Sequence, residues 1–479
     1  MISQEHEMFI KDFLESLEDR NAAIFAGAGL SVGAGYVDWK GLLEDIASEI
    51  GLDINKEDDL VAIAQYHYNE NRGRSKLNKK IMKVFTDDIE ETENHRILSR
   101  LPIETYWTTN YDKLIENSLE KYGKIVDVKH QDSQLPTSKF KRDAVVYKMH
   151  GDVDHPADAI ITRDDYEQYF RKHEPFINAL QGDLTTKTFL FLGFSFNDPN
   201  LEYALSRVRL NFGDSSNHHY CFIRRISKSD FKNSADYDYH KRRQELRIND
   251  LRSYQINPVL VNSYDQITEI LIEIEKRSRM RSIFISGSAE EYGEWGRDRA
   301  VKLVHKLSSK IISKNYRVVN GFGWGIGSAV INGALERVHS NPKRYSEDQL
   351  IIKPFPQFAS GEKDLPILWK EYRQRMISFT GISIYLFGNK IDPNKEGNLI
   401  LANGVKSEFE IALSLGTFPI PIGSTGYMAQ ELWEYVIDNY QNIYGDKEVL
   451  EELKKLQSEM NSEVVIKSVI QIIETLNKK

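Results

Sequence analysis

The sequence predicts an α/β protein made of two parallel-sheet units in tandem, and three observations carry that prediction. The chain has 479 residues, more than one ordinary hydrophobic core covers. Short apolar runs alternate with amphipathic stretches of helical period up to about residue 276, and the alternation then restarts. In both halves the apolar runs end in polar, glycine-bearing turns, which is where an open parallel sheet binds its ligands.

In the first half, Phe9, Phe13, Leu14 and Leu17 recur at helical spacing and mark an opening amphipathic helix. Ala22 to Phe25 reads as a buried strand entering a turn at Gly27. Trp39–Ile50 and Asp59–Asn69 read as helices, Thr105–Trp107 as a strand, and Tyr111–Lys121 as a helix. Ala144–Lys148 reads as a strand running into His150, Asp164–Leu180 as a helix, and Thr188–Leu192 as a strand ended by Gly193. The polar segment Asn211–Asp250 reads as a loop plus a surface helix, followed by a strand Pro258–Val261 and a helix Ile267–Lys276. Arg277, Arg279 and Arg281 then read as a solvated linker, so the domains are expected at 1–278 and 282–479.

In the second half, strands are expected at Ser282–Ser286, Tyr316–Asn320, Leu350–Lys353, Ile382–Phe387 and Pro419–Ile422. Helices are expected at Ala300–Lys314, Ser328–Val338, Leu368–Phe379 and Ser407–Leu415. Leu450, Leu453, Leu456, Val465, Val469, Ile472 and Leu476 mark terminal helices that pack or self-associate.

Composition narrows the function. Content that is 41% apolar and 28% charged is that of a globular protein. A net charge of −8 disfavours non-specific nucleic-acid binding. Cys221 is the only cysteine, which excludes an intramolecular disulfide and leaves no thiolate zinc site. The acidic start lacks a signal-peptide pattern, and no apolar run approaches the roughly 20 residues of a membrane span. No metal, no membrane and a cytoplasmic location are the expectations.

The first chemical motif is Ala26-Gly27-Ala28-Gly29-Leu30-Ser31, a turn that can lie against a dinucleotide pyrophosphate. With Val32 in place of the third glycine it is not a full dinucleotide fingerprint, and alone it reads equally as a tight strand-to-helix turn. The next stretch, Gly35 to Lys40 with Asp38, and then Thr108-Thr109-Asn110-Tyr111-Asp112, Met149-His150-Gly151 and Gly193 to Asn200 follow in order. Together these motifs resemble the sirtuin family over about residues 1–275. Val37, Lys40 and Thr109 depart from that family's proline, arginine and glutamine.

The resemblance implies NAD as substrate, with Asn110 and His150 catalytic. Asn110 would orient the nicotinamide ribose and the attacking water, and His150 would act on a ribose hydroxyl or the water. It implies cofactor contacts from Ala26, Gly27, Ser31, Asp38, Thr109, Asp112, Gly193, Ser195 and Asp198. The family's deacylases frame their acyl-lysine cleft with a four-cysteine zinc ribbon, which this chain cannot build. What remains is cleavage of the nicotinamide–ribose bond through an oxocarbenium-like state, with water trapping C1′.

In the second half, Ser286-Gly287-Ser288, the loop Gly321 to Gly327 and Gly423 to Gly426 are polar strand ends suited to a phosphate-bearing ligand. This half resembles the SLOG family of Rossmann-like sensors and nucleotide hydrolases. Its enzymatic members carry a glycine-threonine run that is missing before Glu408, so ligand sensing is favoured over catalysis. The expected signal-binding residues are Gly287, Ser288, Gly323, Gly325, Arg373, Lys390, Glu408 and Gly423. Arg373 would fork a pyrophosphate, Lys390 would add a point charge, and Glu408 would accept ribose hydroxyls.

A sirtuin-like unit without a zinc ribbon, followed by a SLOG-like unit, resembles the effectors of the Thoeris antiphage defence system. That resemblance implies an NAD hydrolase (NADase) that releases nicotinamide and ADP-ribose when a cyclic ADP-ribose-type signal from a TIR-domain partner protein binds the second unit. NAD loss would then stop cell and phage together. It also implies a homo-oligomer, tetramer or larger, with the sirtuin-like units and terminal helices at its interfaces. An NAD-dependent protein deacylase and a non-catalytic nucleotide-binding scaffold are the alternatives.

Overall fold

A computed structural model describes residues 2–86, 89–196, 198–213, 217–356, 358, 364–392, 395 and 397–478. The chain divides into compact units Met1–Glu275 and Lys276–Lys479. Among the described residues no helix is long and apolar enough to cross a membrane.

The first unit is a seven-stranded, all-parallel sheet. Its strands are β1 (Ala22–Ala26), β2 (Thr105–Thr108), β3 (Val126–Lys129), β4 (Ala144–Lys148), β5 (Thr188–Leu192), β6 (His219–Arg224) and β7 (Ile256–Val261), in the spatial order β3-β4-β2-β1-β5-β6-β7. Such a sheet is covered on both faces, so its central strands are apolar throughout rather than alternating. All of β1 is buried and β5 is buried from Phe189 onward. The opening helix Gln4–Glu18 buries Phe9, Ile10, Phe13 and Leu17 on one face.

Several elements differ from the sequence reading. The polar segment 211–250 contains β6, a strand that the pair His218-His219 conceals. His219 is 1% exposed, and its Nδ1 accepts the Phe189 N–H at 3.2 Å. The expected helix 164–180 is two helices, Arg163–Lys172 and Glu174–Thr186, because Pro175 fits only the first turn of the second. The helix expected from Tyr111 begins at Leu114, after Asp112 Oδ1 accepts the Leu114 N–H at 3.0 Å. Helices Ser75–Phe85 and Glu93–Arg100 were not read from the sequence at all.

The arginine cluster is not a solvated linker. Helix Asp265–Met280 includes Arg277 and Arg279, and Arg279 Nη2 donates to the carbonyls of Thr380 (3.0 Å) and Leu415 (2.9 Å) and to Thr417 Oγ1 (3.3 Å). Those acceptors lie where helices end, and the cation satisfies carbonyls that helix termini leave open.

The second unit has a five-stranded parallel sheet: β8 (Ser282–Ser288), β9 (Arg317–Asn320), β10 (Leu350–Ile352), β11 (Ile382–Phe387) and, after a short antiparallel pair β12 (Asn389–Ile391) and β13 (Leu399–Leu401), β14 (Phe418–Pro421). The order β10-β9-β8-β11-β14 reverses direction between β8 and β11, which is the crevice where such sheets take ligands. Helix Ser462–Leu476 takes the packed alternative of the two read for the terminal helices. Val465, Val469, Ile472, Ile473 and Leu476 are buried in this unit's own core. Helix Tyr427–Asp438 also packs into that core and was not anticipated.

One contact fixes the carboxyl edge of the first sheet. Gly29 N–H donates to Gly193 O at 2.9 Å, and Gly27 N–H to Leu192 O at 2.9 Å. Gly193 has φ +62°, and a Cβ there would overlap the Leu30 amide nitrogen. Gly193→Ala should therefore cost about 3 kcal/mol or more, combining backbone strain with a clash against main chain. Unfolding of the full chain in urea should begin at clearly lower denaturant; an unchanged onset would contradict this packing.

Candidate functional site

Strand register sets the motifs at one level. Ala26 pairs with Thr108 on one side and Leu192 on the other, and Thr108 pairs with Lys148. The turns carrying Gly27, Asn110, His150 and Gly193 therefore leave the sheet at the same edge. The order of strands reverses between β1 and β5, so the crevice of this sheet lies where Gly27 and Gly193 meet.

Asn110 is held from two sides. Its Nδ2 donates to Gly27 O and to Ser31 Oγ, both at 3.0 Å, and its own N–H donates to Thr108 Oγ1 at 3.0 Å. Gly27 O can only accept, so it fixes which end of the amide faces it. The carbonyl Oδ1 is the end left for a ligand. A small cavity brings Asn110 together with Ala28, Ser31, Asp38, Trp39, Thr109 and Asp112.

Asp38 is exposed and caps helix Trp39–Glu49 through Gly41 N–H at 2.9 Å. Ala26 is fully buried, and its carbonyl accepts from Thr108 Oγ1 and Thr109 N–H, so it forms the wall behind the turn. Gly27 supplies shape and an acceptor, since its N–H is taken by Leu192. Ser195 is exposed, and its carbonyl accepts from Arg247 Nη2. Asn197 of the same motif lies outside the described residues.

His150 is 1% exposed, with Tyr166 and Tyr169 edge-on at ring-centroid distances of 5.4 and 6.3 Å. Burial pushes its pKa below the ordinary histidine value, and Asp198 opposes that shift. Its Nε2 lies 3.2 Å from Asp198 Oδ2 and 3.5 Å from Asn200 Nδ2. A neutral imidazole in a closed pocket is in the form that accepts a proton.

The sequence reading missed what stands beneath these motifs. Lys148 is fully buried. Its Nζ reaches Glu116 Oε1 at 2.8 Å, Asp152 Oδ2 at 2.6 Å and the carbonyls of Tyr111 (3.1 Å) and Asp112 (2.6 Å). Although burial alone would lower it, the two carboxylates hold the lysine pKa above its usual value. One cation thus ties the turn after β2 to the turn after β4. A lysine two residues before His150 was the only trace of it in the sequence.

In the second unit, the structure brings Ser286, Arg373 and Glu408 together. Glu408 Oε2 accepts from Ser286 Oγ at 2.6 Å, and Oε1 lies 3.5 Å from Arg373 Nε. The Arg373 guanidinium lies over the Phe355 ring at 4.9 Å, and a Cβ at Gly321 would press on that ring. Glu408 is 7% exposed and its pKa is raised by burial. It therefore anchors Arg373 and Ser286. Gly287, Gly323 and Gly325 allow the loop after β9 to lie against the end of β8: a Cβ on Gly323 would overlap Gly287 O, and one on Gly325 would overlap Ala289 O.

Ser288 Oγ donates to Asn389 O at 3.1 Å, and Lys390 follows on β12, half-exposed. Gly423 opens the short turn after β14. It is buried against Trp433 and Gln457, and Thr425 Oγ1 in the same turn is engaged with Phe387 N–H and Ile422 O. Among the described residues, no group of three or more His, Cys, Asp or Glu side chains is placed to hold a metal ion.

A catalytic-type edge on one parallel sheet and an anion-type crevice on another define a SIR2-like unit followed by a SLOG unit. Family models agree: a SIR2-like domain matches residues 104–249, and the Sir2- and TIR-associating SLOG family matches residues 266–476. The chain is 49% identical over 477 residues to the NAD(+) hydrolase ThsA of Bacillus cereus (strain MSX-D12), covering 98% of each chain. It is 43% identical over 475 residues to the NAD(+) hydrolase ThsA of Acinetobacter baumannii (strain 532279), again covering 98% of each. The defense-associated sirtuin 2 of Bacillus subtilis is 27% identical over 281 residues, 56% of this chain and 27% of that protein. The chain belongs to the ThsA family of NAD(+) hydrolases.

Proposed function

We propose that the first unit hydrolyses NAD to nicotinamide and ADP-ribose, and that the second unit releases this activity on binding a cyclic ADP-ribose-type signal. The observation that supports the hydrolase reading best is the placement of Asn110 and His150 at one level of adjacent strands β2 and β4, beside the crevice of the sheet. Asn110 presents a fixed carbonyl to the nicotinamide ribose and the attacking water, and His150 accepts a proton. The full-length likeness to proteins named NAD(+) hydrolase supports the same reaction.

For the sensor, the support is the pairing of glycine-lined strand ends with Arg373 and the buried Glu408 and Ser286 in a unit of the Sir2- and TIR-associating SLOG family. The description of that family supports a TIR-domain partner protein as the source of the signal. Defence by NAD depletion, in the cytoplasm and by a homo-oligomer of tetramer size or larger, completes the reading; the likeness to a defense-associated sirtuin supports the defence part.

The test is nicotinamide release from NAD by purified full-length protein, alone and with a panel of cyclic ADP-ribose isomers. At least one isomer should raise the rate by about tenfold or more. No turnover under any condition would favour the nucleotide-binding scaffold, and turnover only with an acylated peptide would favour the deacylase.

A further inference from the structure

Asp198 stands in a position that its motif does not announce. Its Oδ1 accepts the backbone N–H groups of Asn200 and Leu201, both at 3.0 Å, capping helix Pro199–Phe212 and fixing the carboxylate. Its Oδ2 lies 3.2 Å from His150 Nε2, whereas Asn200 Nδ2 reaches the same nitrogen only at 3.5 Å. Two groups thus compete for Nε2. The carboxylate is charged, accepts only and is nearer; the amide is neutral and at the limit of hydrogen-bond range. The carboxylate prevails, and Nε2 carries the proton.

His150 Nδ1 is then the nitrogen with the lone pair. Among the described residues it is buried without a hydrogen-bond partner, as is Asn200 Oδ1. Both are acceptors, and donors such as ribose hydroxyls or a water satisfy them. The ring has little room to turn, because Tyr166 and Tyr169 stand edge-on to it and the Tyr169 hydroxyl is fixed by donation to Met149 O at 2.8 Å.

We propose that Asp198 is the positioning residue of His150, holding the ring in its Nε2–H form so that Nδ1 faces the reacting hydroxyl or water. This replaces the expectation that Asp198 contacts the cofactor, and it rests on the reading of His150 as the base. In the reaction the C1′–N bond breaks and its electron pair neutralises the nicotinamide ring. A bond forms between water oxygen and C1′, and the water proton passes to Nδ1 and then to solvent. Asp198 offsets the imidazolium charge while the proton is held.

The groups facing His150 are Asp198, Asp165 and His173, with Tyr111, Tyr166 and Tyr169 kept neutral by burial. Asp198 and Asp165 favour the protonated ring; burial and His173 oppose it. The neutral ring is the active form, so activity is lost as pH falls through the His150 pKa. Removing the Asp198 charge moves that limb to lower pH.

Asp198→Asn is the decisive variant. Asparagine keeps the helix cap through Oδ1 and turns its amide N–H groups to Nε2, which drives the proton onto Nδ1. The kcat for nicotinamide release should fall by about 10²-fold or more, with KM for NAD within about twofold of wild type. Asp198→Ser keeps the cap but offers no charge; it should keep a partial rate, with the acid limb shifted to lower pH.

A raised KM with kcat and the acid limb unmoved would make Asp198 a substrate contact and overturn the proposal, as would two variants that behave like wild type. An inactive His150→Ala protein beside a fully active Asp198→Asn protein would overturn the pairing alone. A fully active His150→Ala protein would remove the base reading and the pairing with it.

Discussion

Replacing either Asn110 or His150 by alanine is expected to lower NAD cleavage by about 10²-fold or more while the chain remains folded. The two residues stand at the carboxyl ends of adjacent strands, where side chains serve a ligand more than the core. Asn110→Ala removes a carbonyl whose direction is fixed by Gly27 O and Ser31 Oγ, and with it, on the proposed mechanism, the alignment of water to C1′. The structural loss is confined to hydrogen bonds worth about 1 kcal/mol each. His150→Ala removes the buried acceptor Nδ1 and leaves the β4 end held by Lys148. Nicotinamide release with circular dichroism on the same samples checks both parts. Near-normal turnover by His150→Ala would sink the mechanism.

The fold was legible where local pattern and tertiary environment agree. β1, β5 and β11 are short buried apolar runs ended by glycine turns, the pattern of a central parallel strand. The reading failed where tertiary contacts override local chemistry. Strand β6 begins with a buried histidine whose ring is satisfied by Phe189 N–H, a partner about thirty residues away in sequence that no local pattern reveals. Arg279 looked like a linker charge because its acceptors, Thr380 and Leu415, are supplied by distant helix ends.

The same division runs through the sites. Gly27, Asn110 and His150 stand out in the sequence because each sits in its own short motif. Register then explains why separate motifs form one edge. Lys148 with Glu116 and Asp152 was invisible because a buried cation is recognisable only by its partners. In the second unit the residues read as free ligand groups are in part committed to one another. Glu408 holds Arg373 and Ser286, and Gly423 faces Trp433.

That commitment sharpens the expectation for Arg373→Ala in the full-length protein. The signal concentration giving half-maximal NAD cleavage should rise by about tenfold to a hundredfold, matching the roughly 1.5–3 kcal/mol of a charge-assisted hydrogen-bonded contact. The maximal rate should be regained at sufficient signal, because the Asn110 and His150 edge belongs to another sheet. A ligand raises activity only by preferring the active arrangement, and a hundredfold preference supplies about 2.7 kcal/mol. Weakening its grip on Arg373 shifts the concentration needed without altering the chemistry. The unfolding hazard is small, since Glu408, already displaced toward its neutral form by burial, can take up a proton when the guanidinium is gone. Titrating nicotinamide release against the activating isomer gives the answer. A midpoint that does not move would remove Arg373 from the signal site. A response that survives unchanged in both Arg373→Ala and Lys390→Ala would place the signal elsewhere than the crevice between β8 and β11.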